Sequence, residues 1–78
     1  MKTTQYFEFI RRRPDRKMIK LEWIQFTIKN PIHEEKQKDG RIRRWAKIEE
    51  AEGKYLRVIL LEDGETLHNA FFDRSFRR

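Results

Sequence analysis

The sequence predicts an α+β fold: two N-terminal helices packed on one face of a four-stranded antiparallel β-meander. Three observations carry that expectation. Asp39–Gly40 and Asp63–Gly64 each stand between apolar runs, and a two-residue hairpin turn needs positive φ at both positions, which Asp–Gly supplies. The run YLRVILL at 55–61 is the strongest strand, aliphatic and β-branched, with a turn signal on either side. Near the N-terminus, Tyr6, Phe9 and Ile10 recur at i, i+3 and i+4, the spacing of one helical face.

The elements follow in order. Thr3 or Thr4 is placed to cap the first helix, although Phe7, Glu8 and Phe9 also alternate as a strand would. Pro14 ends that element, since the residue before a proline is driven out of the helical region. Asp15 is the natural cap for the next one. Residues 16–30 are ambiguous. As a helix they put Ile19, Trp23 and Phe26 on one flank and Leu21, Ile24 and Ile28 on another. As a strand they shift phase midway, which a bulge would allow. Length favours the helix, because strands average five or six residues, and Asn30–Pro31 closes it. Beyond it, strands are expected over 32–38, 41–49, 54–62 and 65–73, with 50–53 a looser turn and the third strand central.

If both Asp–Gly pairs are two-residue turns, pairing follows, and pairing assigns faces. Glu35 then lies opposite Arg44, His33 opposite Ala46, Ile59 opposite His68, and Arg57 opposite Ala70. Joining the middle strands with Glu49 opposite Lys54 sets Arg44 opposite Ile59. One face carries Trp45, Leu56, Val58, Leu60, Leu67 and Phe71 and is the surface for the helices. The other carries His33, Glu35, Arg44, Tyr55, Arg57 and His68, bordered by Ile42, Ile48, Ile59 and Phe72.

Size and charge bound the function. The chain has 78 residues, with 19 Lys and Arg against 13 Asp and Glu, a net charge of +6. That is one domain, 1–78, with no room for an interdomain cleft. A core of this size supplies only about 3–5 kcal/mol unless it is stapled. There is no cysteine, so neither a disulfide nor a thiolate metal site is expected. With His33 and His68 the only imidazoles, no metal and no cofactor are expected. Nothing approaches the roughly 20 apolar residues of a membrane helix, and residues 1–4 do not lead into a signal-peptide core. The chain reads as cytoplasmic, with no membrane role. Aromatic residues at 13% are too many for a chain that never packs.

An excess of positive charge favours an anionic partner, and nucleic acid is the commonest. The arginines cluster at 11–13, at Arg41, Arg43 and Arg44, and at Arg74, Arg77 and Arg78. A planar guanidinium fork matches phosphate better than a lysine does. Arg11–Arg12–Arg13 also suits a helix C-terminus, where positive charge complements the dipole. On the polar sheet face, Arg44 and Arg57 are the expected phosphate ligands, His68 the general acid or base, and Glu35 the base or a group orienting a guanidinium. His33, Tyr55, Arg41, Arg43 and Arg74 are the expected RNA contacts. RNA cleavage by the neighbouring 2′-hydroxyl needs only positioning, charge stabilisation and proton transfer, which is within reach of a small basic domain. The same face is also what any half-exposed antiparallel sheet presents to water. A non-catalytic module that binds RNA or protein is the alternative.

The runs DGRIRRWAK (39–47) and KYLRVILLEDGETLHNAFFDR (54–74), with the leading FxxxRRxPDR and the EWI of 22–24, resemble a family of small bacterial proteins grouped with the RelE/ParE/BrnT-like toxin superfamily. The resemblance spans residues 4–76. It implies a RelE-like fold in which helices precede the antiparallel sheet, and so a helix over 16–30. It also implies the toxin of a toxin–antitoxin pair, acting on RNA such as ribosome-bound mRNA as a metal-independent endoribonuclease, and a small acidic antitoxin as partner. RelE-type relatives use Arg, Lys and Tyr and others use His and carboxylates, while ParE-like ones inhibit gyrase, so the activity does not follow from kinship alone.

Overall fold

The computed structural model describes residues 1–77. Thr4 opens α1 (Gln5–Ile10): its hydroxyl accepts the Phe7 N–H at 3.1 Å, supplying one of the donors a helix start leaves unpaired. Pro14 is the first residue of α2 (Pro14–Lys17), and Arg13 before it is extended at φ −67°, ψ 144°. The cap is therefore Arg13, and Asp15 sits inside the first turn, paired with Arg13 and Arg16. The element expected over 16–30 is helical but divided. α2 is a single turn, and the chain restarts as α3 (Leu21–Lys29). α3 does not bury two flanks. Ile24 and Thr27 are buried, Trp23 and Ile28 pack beside them, and Leu21 and Phe26 are exposed. Three helical segments, rather than two, thus precede the sheet.

The sheet is a four-stranded antiparallel meander, β1 (His33–Lys36), β2 (Ile42–Ile48), β3 (Lys54–Leu60) and β4 (Leu67–Phe72), in spatial order 1-2-3-4. Residues 2–4 run along the free edge of β4. The Thr4 N–H bonds the Leu67 carbonyl at 3.0 Å, and the Leu67 N–H bonds that of Lys2 at 2.9 Å. α3 packs on β2 and β3, and α1 on β4.

The register is where expectation and structure part. The Gln37 N–H bonds the Arg41 carbonyl, and the Gly40 N–H bonds that of Gln37. The first turn therefore holds three residues, 38–40, with Gly40 at φ +92°, the form in which a type I turn ends in a left-handed residue. That extra residue pairs His33 with Trp45, Glu34 with Arg44 and Glu35 with Arg43. The middle loop likewise retains Glu49, so Ile48 faces Lys54, and Glu52 and Gly53 both take positive φ. Near the third turn Leu60 does face Leu67, as the expected pairing requires. A bulge at His68 then adds a residue, so Ile59 faces Asn69 and Arg57 faces Phe71.

Each one-residue slip exchanges the faces. The covered face carries Ile42, Arg44, Ala46 and Ile48 of β2 and Leu56, Val58 and Leu60 of β3, with Leu67, Ala70 and Phe72 of β4. The aliphatic set of β3 lies where expected. Trp45, Phe71 and Arg44 do not: the first two are on the outer face and Arg44 is beneath the helices.

Candidate nucleic-acid interface

The face turned away from the helices is built of cross-strand rows. The central row, His33, Trp45, Arg57 and Phe71, crosses all four strands. Beside it run Glu35, Arg43, Ile59 and Asn69 on one side, and Lys47 and Tyr55 on the other. Alternation alone places these residues together once the register is known.

Within this face, His33 Nε2 lies 2.9 Å from Glu35 Oε2, and Arg43 Nη1 is 3.9 Å from Glu35 Oε1. The His33–Glu35 pair is open to solvent. Arg57 is held differently. Its guanidinium carbon stands 5.5 Å from the Trp45 ring centre and 5.1 Å from that of Phe71, a cation–π arrangement on two sides. Its Nη1 is 3.5 Å from Asp73 Oδ2, and its Nε is buried with no acceptor among the described residues.

The chain after β4 folds back across this face. Asp73 Oδ2 accepts the Trp45 indole N–H at 2.9 Å, and Oδ1 accepts the Ser75 N–H and hydroxyl. Phe76 stacks on Trp45 with ring centres 5.0 Å apart and planes at 19°, and it also touches His33 and Tyr55. This segment leaves Trp45 only 4% exposed although it faces away from the helices. Burial opposes ionisation of Asp73, but the Ser75 hydroxyl, the Trp45 indole, the Ser75 N–H and the Arg57 charge outweigh it and hold its pKa at about 2. The carboxylate is ionised at neutral pH.

The expected site residues divide. Glu35, His33, Tyr55, Arg43 and Arg57 share the outer face, with Glu35 beside Arg43 instead of Arg44. Arg44 is displaced by the shifted β2–β3 register, which pairs it with the buried Val58 instead of Ile59. Its Nη1 donates to the Ile28 carbonyl at 3.0 Å, a helix-end group without an intrahelical partner, and its Nε to Glu34 at 2.6 Å. Arg41 stays at the first turn, paired with Asp39. Arg74 is exposed in the segment after β4, Arg77 lines the cleft beside Phe76, and Arg78 lies outside the described residues. Trp45, Phe71, Asp73 and Phe76 were not among the expected site residues. Only the Asp–x–Ser of 73–75, an Asx-turn pattern, signals that the chain doubles back.

His68 leaves the site because it is the bulge residue. Its Nδ1 lies 3.0 Å from Thr4 Oγ1, and its ring stacks on Tyr6 at 4.9 Å. The Thr4 oxygen also accepts the Phe7 N–H, and a hydroxyl with one donor and two acceptor sites can serve both partners, the direction of the His68 bond following the imidazole tautomer. Burial first, then the Arg41 charge, lowers the His68 pKa below 6.5. On acidification the unfolded chain takes up this proton first. The stabilisation is therefore full above about pH 6.5 and is lost as pH falls through the folded value. A urea series should show the midpoint declining below that pH, and His68→Gln should remove this part of the decline. An unchanged decline in the variant would exclude His68 as its source.

Among the described residues, no group of three or more His, Asp or Glu side chains is placed to hold a metal ion, and no helix is long and apolar enough to cross a membrane. The site is thus an aromatic-lined sheet face on which Arg43, Arg57 and Lys47 each stand beside a carboxylate, with one His–Glu pair at its side, in an α+β chain for which no protein-family model, no curated protein and no solved structure provides a match.

Proposed function

We propose that this protein is a RelE-like, cytoplasmic toxin that acts on RNA through the outer face of its sheet, as a metal-independent endoribonuclease. The observation that carries the reading is the His33–Glu35 pair, 2.9 Å apart and exposed, beside Arg43 and on the same outer face of the sheet as Arg57. The helical layer ahead of a four-stranded antiparallel sheet and the net charge of +6 agree with it.

The chemistry is compact. Arg43 neutralises the scissile phosphate. Glu35 takes the proton from the 2′-hydroxyl as that oxygen attacks phosphorus, and protonated His33 returns a proton to the departing 5′-oxygen. The new 2′-O–P bond replaces P–O5′, leaving a 2′,3′-cyclic phosphate and a 5′-hydroxyl. Tyr55 supplies a ring face for a base, while that of Trp45 is occupied by Phe76. A small acidic antitoxin would cover the same cationic surface.

The test is incubation of the purified protein with single-stranded RNA in the presence of a chelator. Cleavage with cyclic-phosphate ends is expected, falling about 10²–10⁴-fold in Glu35→Gln. Arg43→Ala should weaken binding of every sequence alike and reduce the salt slope by about one. Salt-dependent binding without cleavage would instead support a non-catalytic RNA-binding module. Binding indifferent to salt would overturn both readings.

A further inference from the structure

The segment at 73–76 presents two chemical groups to the outer face, and each matches one half of a nucleotide. The Asp73 carboxylate is an anion held against Arg57 and the Trp45 N–H. The Phe76 ring lies flat on the Trp45 indole, flanked by His33 and Tyr55. An anion beside a guanidinium and a ring parallel to an indole are the contacts that single-stranded nucleic acid makes on a protein: phosphate on arginine, base on an aromatic face.

Two further observations bear on this. After Asp73, whose N–H bonds the Tyr55 carbonyl, the described segment is held to the sheet through the Phe76 ring. Ser75 bonds back to Asp73, and Arg74, Ser75 and Arg77 are exposed. Among the described residues, detaching Phe76 therefore breaks ring contacts and no backbone hydrogen bond to the sheet. Second, the Arg57 Nε–H has no acceptor among the described residues, although its Nη1 lies near the Asp73 carboxylate. The guanidinium is incompletely served by Asp73, whereas a phosphate brings more acceptor oxygens. The cleft beside Phe76 continues to His33, Glu35 and Arg43.

We infer that residues 73–76 are an internal occupant of a nucleotide subsite, with Phe76 filling the base position on Trp45 and Asp73 the phosphate position on Arg57, so that single-stranded RNA and this segment compete for the same face. The inference rests on the RNA-facing reading of the sheet and adds its regulation: the subsite is closed until Phe76 leaves.

The experiment measures binding of a fluorescein-labelled oligouridine, about ten nucleotides long, to the full chain across a salt series. Phe76→Ala removes the competitor ring and is expected to tighten binding by roughly two- to tenfold, the factor one aromatic pair is worth. Asp73→Asn keeps the shape of the side chain and releases the charge of Arg57. It is expected to steepen the salt dependence by about one phosphate equivalent. If Phe76→Ala binds no tighter than the parent, or more weakly, Phe76 is not a competitor and the inference is overturned while the interface reading stands. If neither the parent nor Phe76→Ala binds the oligonucleotide, both fall. A polyglutamate peptide that binds as well and gains the same factor in Phe76→Ala would mean that the subsite reads anionic protein, which overturns the nucleotide assignment.

Discussion

Leu56→Ala is expected to lower stability by about 2–5 kcal/mol, a large share of the total. Leu56 is 0% exposed and sits mid-sheet, facing Ala46 across one pair and Phe72 across the other. The helices close over it, so truncation removes transfer energy and leaves a cavity that strands paired on both sides cannot collapse. A domain of this length holds only about 4–12 kcal/mol in total. At roughly 4–8 °C per kcal/mol for such a size, the melting temperature should fall by about 8–40 °C. Phe26→Ala is the contrast: Phe26 is 48% exposed on α3, and its loss should stay within about 1 kcal/mol. Thermal melts followed by circular dichroism separate the two, and equal losses would refute the assignment of the core face.

Asp73→Ala is the second large effect, expected to cost about 2–4 kcal/mol. The side chain is 8% exposed and its partner Arg57 19%. Removing the carboxylate leaves a buried indole N–H and a largely buried guanidinium without their acceptor. Trp45 emission should shift to the red as Phe76 and the rest of the segment detach. The same residue makes stability depend on acid. Its pKa is about 2 in the fold, against an ordinary 3.8, so between these values the unfolded chain binds more protons. The stabilisation, about 2 kcal/mol, is complete above 3.8 and is lost as pH falls toward 2. Asp63 titrates in the same window, held at about 2 first by the Thr66 hydroxyl and then by the N–H groups of Thr66 and Glu65. Urea midpoints in Asp73→Asn should therefore fall less steeply in acid than those of the parent, without becoming flat. A slope identical to the parent's would show that Asp73 is not a source of the acid sensitivity.

Much of the fold was legible in local chemistry. Gly40, Gly53 and Gly64 all take positive φ at the three turns, where the sequence carries its turn signals. Pro14 and Asn30–Pro31 bound the helices, and the aliphatic run of β3 forms the inner face of the sheet. The site was legible in part. Glu35, His33, Tyr55, Arg43 and Arg57 meet on one face, as their spacing along alternating strands allows. Arg44 and His68 were misplaced for one reason, since a pleated strand changes face with every residue. A longer middle loop, which pairs Ile48 rather than Glu49 with Lys54, moved Arg44 under α3, and a bulge moved His68 against Thr4 and Tyr6. Trp45 was read as core because the expected register set it on the face covered by the helices. It is indeed buried, but by Phe76 from the opposite side.

The sequence by itself determined the class of the chain, the order of its elements, the position of its turns and the excess of positive charge. These depend on periodicity and on φ preferences within a few residues. Only the tertiary structure decided the register of the three hairpins, and hence which arginines face outward. It also decided the return of residues 73–77 over Trp45 and Arg57. An Asp–Gly turn of two residues and one of three carry nearly the same local signal. What separates them is the burial of Ala46, Ile48, Leu56 and Val58 beneath the helices, a contact between residues far apart in the chain. The energy that selects the register is released only when those distant surfaces meet.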